Sequence, residues 1–363
     1  MDKDGFVKVS EIQTPALLID LNVLESNLSK MASFFSGVPA KLRAHVKNHK
    51  TPILAHKQIQ AGSAGICCAK LGEAEVMVAA GIKDILITTE VVDPQKIARL
   101  VNLNRHADVK VVVDNPQNVW DLSSAAHAKG LKLGVLVEVD VGMNRCGVVP
   151  GEQALELARE VERAPGLHFM GLQGYEGHAS FVSDYAARKQ LAEEAMKLLI
   201  DTKHLIEGTG LEVPVVSAGG TGTYAFTGRY PGVTEVQAGS YATMSTRYSH
   251  VSQDFGYAVT VLCTVISRPA RDRIIVDAGS KAISWEFGLP LVKNVEGAEA
   301  VRLSVEHGKI ELSDPGIALV AGDRIELVPS FEHTTINLYD KFHAVRDGWV
   351  EAVWEIAARG RCD

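Results

Sequence analysis

Between residue 14 and about residue 245 the sequence alternates short apolar or β-branched runs with longer amphipathic stretches. The runs fall at Leu42–Lys47, Gly65–Lys70, Asp84–Glu90, Val109–Asp114, Lys132–Asp140, His168–Gly174, Val213–Ala218 and Thr234–Gly239. Helical patterns fill most of the gaps, at 72–80, 94–103, 115–129, 151–163 and 183–207. Thr51 before Pro52 and Asp93 before Pro94 read as helix caps. Eight strand–helix units predict an α/β fold, a (β/α)8 TIM barrel, because the count matches and the segment approaches the roughly 250 residues typical of it. An open doubly wound sheet is the alternative that the same rhythm allows. In either fold the chemistry belongs at the C-terminal ends of the strands. After about Tyr248 the pattern turns to alternation, at 258–267, 273–276, 300–305, 323–329, 335–338, 342–346 and 349–357. That predicts an antiparallel β domain. The expected division is a barrel over 14–248 and a β domain over 249–363, joined by residues 1–13, where Phe6-Val7-Lys8-Val9 looks strand-like.

Composition narrows the function classes. The chain has 363 residues and a net charge of −7, with 37 basic and 44 acidic side chains. No basic surplus exists to neutralise a phosphate backbone, which argues against nucleic acid as a partner. No run approaches the ~18 apolar residues of a membrane span. Met1–Gly5 is charged and has no apolar signal core, so a cytoplasmic location is expected. Five scattered cysteines without CxxC spacing fit reduced thiols.

Two motifs carry chemistry. In Arg43-Ala44-His45-Val46-Lys47-Asn48-His49-Lys50, Lys47 falls at the end of the first barrel strand, crowded by Arg43, His45, His49 and Lys50. Burial and nearby cations lower a lysine pKa, and a neutral amine is what Schiff-base chemistry requires. The same residues also read as a solvated basic cluster. The second motif is Ser217-Ala218-Gly219-Gly220-Thr221-Gly222-Thr223, after the seventh strand, where consecutive N–H groups can form a phosphate nest. A plain glycine turn is the competing reading. It is neither a Walker loop nor a good dinucleotide fingerprint. Arg145 and the run Tyr175-Glu176-Gly177-His178 sit at further strand ends, and Gly239-Ser240-Tyr241 can complete a cup. A strand-end lysine with a late phosphate nest suits pyridoxal phosphate (PLP), which needs an amine for its aldehyde and donors for its phosphate.

Thr14-Pro15-Ala16-Leu17-Leu18-Ile19-Asp20, Arg43 to Thr51, Cys68 to Glu75, Glu138 to Gly147, and Asn337-Leu338-Tyr339-Asp340 together resemble the D-threonine aldolase and D-serine dehydratase-like family. That family has the alanine-racemase-type PLP fold, and the resemblance covers essentially the whole chain. It implies Lys47 as the Schiff-base lysine, Arg145 at the cofactor's phenolic oxygen and Tyr175 beside the cofactor. It implies Gly219, Gly220 and Thr221 as the phosphate cup, with help from Ser240 and Tyr241, and Gln237 facing the pyridine nitrogen. A neutral amide there is expected to hold that nitrogen protonated less firmly than a carboxylate would. The implied activity is a lyase acting on a D-3-hydroxy amino acid, by retro-aldol cleavage or by dehydration. The implied partners are a small amino-acid substrate and a second copy of the chain, whose β domain closes the site.

The chain departs from the family at three places. Metal-dependent members carry a His, and a Cys or Asp two residues later, in the late motif. Here Pro329-Ser330-Phe331-Glu332-His333 puts Phe331 and His333 at those positions. Phe331 cannot bind a metal, so the divalent ion is expected to be lost or rearranged around His333. Glu332 and His333, read as neighbours on a strand, would point to opposite faces. Phe181 stands where aldolase relatives place a catalytic histidine, and His178 is the candidate substitute, with loop packing as the alternative. Ala44 replaces a usual proline. The competing activities are a metal-independent PLP racemase or epimerase, a non-catalytic PLP carrier and an unrelated phosphate-binding barrel. Trp285, Phe287 and Phe331 are candidates for an apolar substrate pocket or for core.

Overall fold

A computed structural model describes residues 7–363. The N-terminal readings at Met1–Phe6 lie outside the described residues. By its internal contacts the chain divides into two units, one of Met31–Gly239 with Gly360–Asp363, the other of the segment up to Lys30 with Ser240–Arg359.

The first unit is the barrel. Its parallel strands run in the order Lys41–Leu42, Glu235–Val236, Val215–Ala218, Leu167–Gly174, Leu133–Glu138, Asp108–Val113, Asp84–Ile87, Ile66–Cys68 and Ala44–His45. The two ends of that order are one stretch of chain interrupted at Arg43. Arg43 N donates to Val236 O (2.9 Å), while Ala44 N donates to Gly65 O (3.2 Å). One strand therefore bonds the last strand on one side and the second on the other, which closes the sheet. Cys67, Leu86, Val112 and Leu136, with Met170 and Val215, pack as one cluster. Side chains from six successive strands meet only if they point into the lumen.

The helices lie close to expectation, at Pro52–Gln60, Leu71–Ala79, Pro94–Leu103, Pro116–Ala128, Glu152–Arg163 and Tyr185–Glu207. Asp93 caps as predicted, its carboxylate accepting from Gln95 N and Lys96 N at 3.0 Å each. Thr51 does not. Its hydroxyl donates to His49 O (2.6 Å) and serves the turn before the helix.

In the second unit, Val259–Ala270 is the central strand, pairing antiparallel with Ala16–Asp20, Arg273–Val276 and Arg324–Val328. Ala16–Asp20 also pairs in parallel with Lys341–Arg346, which pairs with Trp349–Glu355, and Val7–Lys8 forms the edge. Ile12, Ala16, Leu18, Leu262, Val345 and Val350 form its core cluster. Gly308–Leu312 and Leu291–Lys293 are strands the alternation did not signal. The expected strand 335–338 is instead the end of a helix, Glu332–Ile336, and the turn that follows it. Two threonines favour strand there, but Thr335 Oγ1 donates back to Phe331 O (3.1 Å) and Glu332 occupies the first turn, where helix amides favour an acid. Among the described residues no helix is long and apolar enough to cross a membrane.

Candidate active site

The eight residues Arg43–Lys50 do not form one basic cluster. Arg43 is buried, and its guanidinium bonds Glu235 (2.7 and 2.8 Å) and Asp84 (2.6 Å). Asp84, Asp108 and Glu235 each open their strands, so this network, with Lys110 bridging Asp84 (3.0 Å) and Asp108 (2.6 Å), marks the N-terminal end of the barrel. Burial opposes the charge on Arg43, yet Glu235 and Asp84 outweigh it and hold the guanidinium above its ordinary range. A Cβ on Gly65 would lie 2.4 Å from Arg43 Nη1, so only glycine lets that side chain pass.

Lys47 points to different chemistry. It sits on the turn Val46–Asn48, directly after the Ala44–His45 strand. The other basic neighbours have partners of their own. His45 meets Thr88 Oγ1 (3.3 Å), His49 meets Gln58 Oε1 (3.1 Å), and Lys50 pairs with buried Glu73 (2.7 Å). Lys47 Nζ instead lies 5.8 Å from the Tyr175 ring centroid, and Arg145 lies 5.6 Å from the same ring. Desolvation of the ammonium, and after it the Arg145 charge, hold the Lys47 pKa below its ordinary value. The cation that matters is thus Arg145, 98 positions away in sequence, not the adjacent ones.

Tyr175 links this pair to the glycine loop. Its hydroxyl meets Ser180 Oγ (3.2 Å), and a Cβ on Gly220 would touch its ring edge at 3.3 Å. The loop is built on buried Glu176, which accepts from Gly219 N (3.0 Å), Thr223 Oγ1 (2.6 Å) and Thr227 Oγ1 (2.5 Å). Gly220 N donates to Thr223 Oγ1 (3.2 Å). Two of the three predicted cup residues therefore use their amides to build the loop. The amide of Gly222 donates to no group among the described residues, and a Cβ there would lie 2.1 Å from Ser180 O.

Across the same mouth, Gln237 bonds Gln173 (2.7 Å) and Ser217 (2.9 Å), and Gln173 bonds Glu138. Burial, then Glu90, push the Glu138 carboxyl up to about 8. Sequence reasoning gave Glu138 and Gln173 no role. The available signal was a polar side chain closing an otherwise apolar barrel strand. His178 is exposed, with its ring on Gly142 at 3.2 Å from where a Cβ would be, in the loop that carries Arg145.

The remaining candidates belong to the second unit. Tyr241 is buried with its ring 5.7 Å from Phe255. Ser240 Oγ meets His333 Nε2 (2.7 Å), and Glu332 Oε1 lies 3.4 Å from the same nitrogen. The expectation that Glu332 and His333 diverge is corrected here, because a helical turn, not a strand, carries them. Burial alone would raise the Glu332 carboxyl, but His333 reverses this and holds it below its ordinary range. Phe331 stacks on His333 (4.5 Å, 3°) and meets Phe287 edge-on (4.9 Å), while Arg247 covers Phe287 at 3.3 Å and Trp285 is exposed. These residues do not fit the divalent ion the family implies. Phe331 has no donor, Ser240 engages His333 Nε2, and the described residues include no group of three or more His, Cys, Asp or Glu able to hold a metal. The barrel-mouth residues, by contrast, fit PLP: a low-pKa amine, an aromatic ring beside it and a preformed glycine loop.

Comparison with known proteins agrees. Residues 19–247 match the family described as alanine racemase, N-terminal domain, and residues 258–345 match a putative serine dehydratase domain. The chain is 39% identical over 356 residues to a D-threonine aldolase from Arthrobacter sp, covering 97% of this chain and 94% of the relative. It is 38% identical over 363 residues to a 3-hydroxy-D-aspartate aldolase from Paracoccus denitrificans, covering 97% and 93%. A crystal structure of D-threonine aldolase from Filomicrobium marinum superposes with a TM-score of 0.96 at 38% identity, covering 99% of each chain. The chain belongs to the D-threonine aldolase and D-serine dehydratase-like family of PLP-dependent lyases, with the alanine-racemase fold.

Proposed function

We propose that the chain cleaves or dehydrates a D-3-hydroxy amino acid, with Lys47 holding the cofactor. The observation that carries this reading is the desolvated Lys47 ammonium beside Arg145 and Tyr175 at a strand end. Bound PLP supplies an aldehyde that captures an amine and a ring that draws electron density from the substrate's α-carbon. The protein does the rest. Lys47, shedding its proton readily, accepts and returns a proton at Nζ. Tyr175, braced by Ser180 and Gly220, fixes the direction from which that amine works. Arg145 supplies positive charge beside Lys47 without burying it. Gly219, Gly220 and Thr221 shape the phosphate loop on Glu176, and Ser240 and Tyr241 follow the last barrel strand. His333, held between Ser240 and Glu332, is the imidazole we assign as proton carrier for the substrate hydroxyl, and His178 is its alternative. Five free cysteines suit a reducing cytoplasm, and the active form is read as a homodimer.

The test is product analysis after incubation with D-threonine, D-serine and D-3-hydroxyaspartate, with and without chelator. Glycine plus aldehyde identifies an aldolase, and a keto acid plus ammonia identifies a dehydratase. No product, or L-amino acid alone, sinks the lyase reading. Phe331 in place of a metal ligand favours one second reading, a metal-independent racemase or epimerase. That chemistry needs no activation of a β-hydroxyl, and inverted substrate is its signature.

A further inference from the structure

Four polar side chains form a line across the barrel mouth, each less than a tenth exposed: Glu138, Gln173, Gln237 and Ser217. Gln173 Nε2 donates to Glu138 Oε2. Gln237 Nε2 donates to both Gln173 Oε1 (2.7 Å) and Ser217 Oγ (2.9 Å). The chain has a direction. An ionised Glu138 only accepts, so Gln173 must then turn its NH2 group toward it. Its carbonyl oxygen then faces Gln237, which must turn its own NH2 group inward. Both protons on Gln237 Nε2 are thereby used. Gln237 Oε1 accepts no hydrogen bond among the described residues, and it is the one polar atom this side chain has left to offer.

We propose that Glu138 is a positioning residue: acting through Gln173, it sets the amide of Gln237 so that an oxygen acceptor, not an N–H donor, faces the cofactor's ring nitrogen. This rests on the reading of the barrel mouth as the PLP site, with Gln237 at the ring nitrogen as the family resemblance implies. An acceptor is matched only by an N–H, so the ring nitrogen carries a proton. The expectation from neutrality alone, that an amide holds this proton weakly, is replaced by one from direction. Glu90 and Asp114 face Glu138 and disfavour its ionisation, whereas Arg145 and the Gln173 hydrogen bond favour it. The neutral acid can donate and reverse the chain. The direction is therefore firmest once Glu138 is ionised, above a carboxyl pushed up to about 8.

The experiment is a nitrogen-15 NMR measurement on the full protein reconstituted with PLP labelled at the ring nitrogen, at about pH 9, where an unsupported pyridine has lost its proton. The wild type is expected to show the protonated shift. Glu138→Met and Gln173→Met should both lose it while keeping cofactor stoichiometry. Adding Gln237→Glu to Glu138→Met should restore it, because a carboxylate accepts whatever its neighbour's direction. A purely structural role for Glu138 would not allow that rescue. A bare ring nitrogen in the wild type, or an unchanged shift in both methionine variants, overturns the proposal. Cofactor binding is read separately, by absorbance and by the mass of a borohydride-fixed Lys47 adduct. If the wild type binds no cofactor, the site reading fails and the relay fails with it.

Discussion

The two ends of the barrel treat charge in opposite ways. At the N-terminal end Arg43, Lys110, Asp84, Asp108 and Glu235 neutralise one another through short ion pairs. At the C-terminal end Lys47 has a ring and another cation for neighbours, and Glu138 has an amide and other acids. Arg43 is held above its ordinary range and Lys47 below it, although only three residues separate them. Compensated charge locks a structure, and uncompensated charge stores a proton that is easily moved. One short motif supplies both because the strand carries Arg43 into the lumen before the Val46–Asn48 turn delivers Lys47 to the mouth.

That contrast can be broken by mutation at either end. Lys47→Ala should reduce activity to background and abolish the visible band of the lysine–cofactor linkage, with little change in thermal stability. A persisting band would place the linkage elsewhere. Arg43→Met should do the reverse, costing on the order of 3 kcal/mol because Glu235 is left buried and unpaired, as measured by denaturant unfolding. The spectrum of the folded fraction should stay unchanged. If Arg43→Met folds as stably as the wild type, the lower network is not the lock described.

Glu138 sharpens the comparison through pH. Its folded-state pKa, raised to about 8 by burial and then Glu90, lies above the ordinary carboxylate value, so the folded protein binds this proton more tightly than the unfolded chain. The associated stability is fully present below the ordinary carboxylate range and is lost as pH rises through about 8. Glu138→Gln cannot ionise, and its melting temperature should gain on the wild type between about pH 6 and about pH 9. An equal difference at both values would remove Glu138 from the uncompensated set. The smallest effect is expected away from both ends. Asp93→Ala removes two cap bonds on an outer helix and should cost about 1 kcal/mol with no change in cofactor spectrum or pH profile.

Much of this contrast was legible before the structure. Strand ends fall where apolar runs stop, and Lys47 stops one. The rhythm could not say which sheet a run joins. Ala16–Asp20 falls inside the 14–248 span expected for the barrel yet pairs with Val259–Ala270, because its register partners lie some 240 residues away. The partners of Arg43 and Lys47 were equally hidden. Adjacent cations looked like the cause of a low lysine pKa, whereas Arg145 arrives through the topology. Glu138 stood within a recognised motif, but its importance lies in Gln173 and Gln237, two strands apart in the barrel order. At the late motif, the departure of Phe331 and His333 from the family pattern was readable directly, while the helix that brings Glu332 to His333 overrode local β preference.

Glu176 has a consequence for how the cofactor is taken up. Three donors from the chain itself fix its carboxylate beneath the glycine loop. The loop therefore pays its ordering entropy during folding rather than during binding. Amide exchange at Gly219 should already be slow in the cofactor-free protein and change little on loading. Capture of the phosphate then resembles a key entering a finished lock, and its rate should follow diffusion and ionic strength rather than any slow rearrangement of the loop.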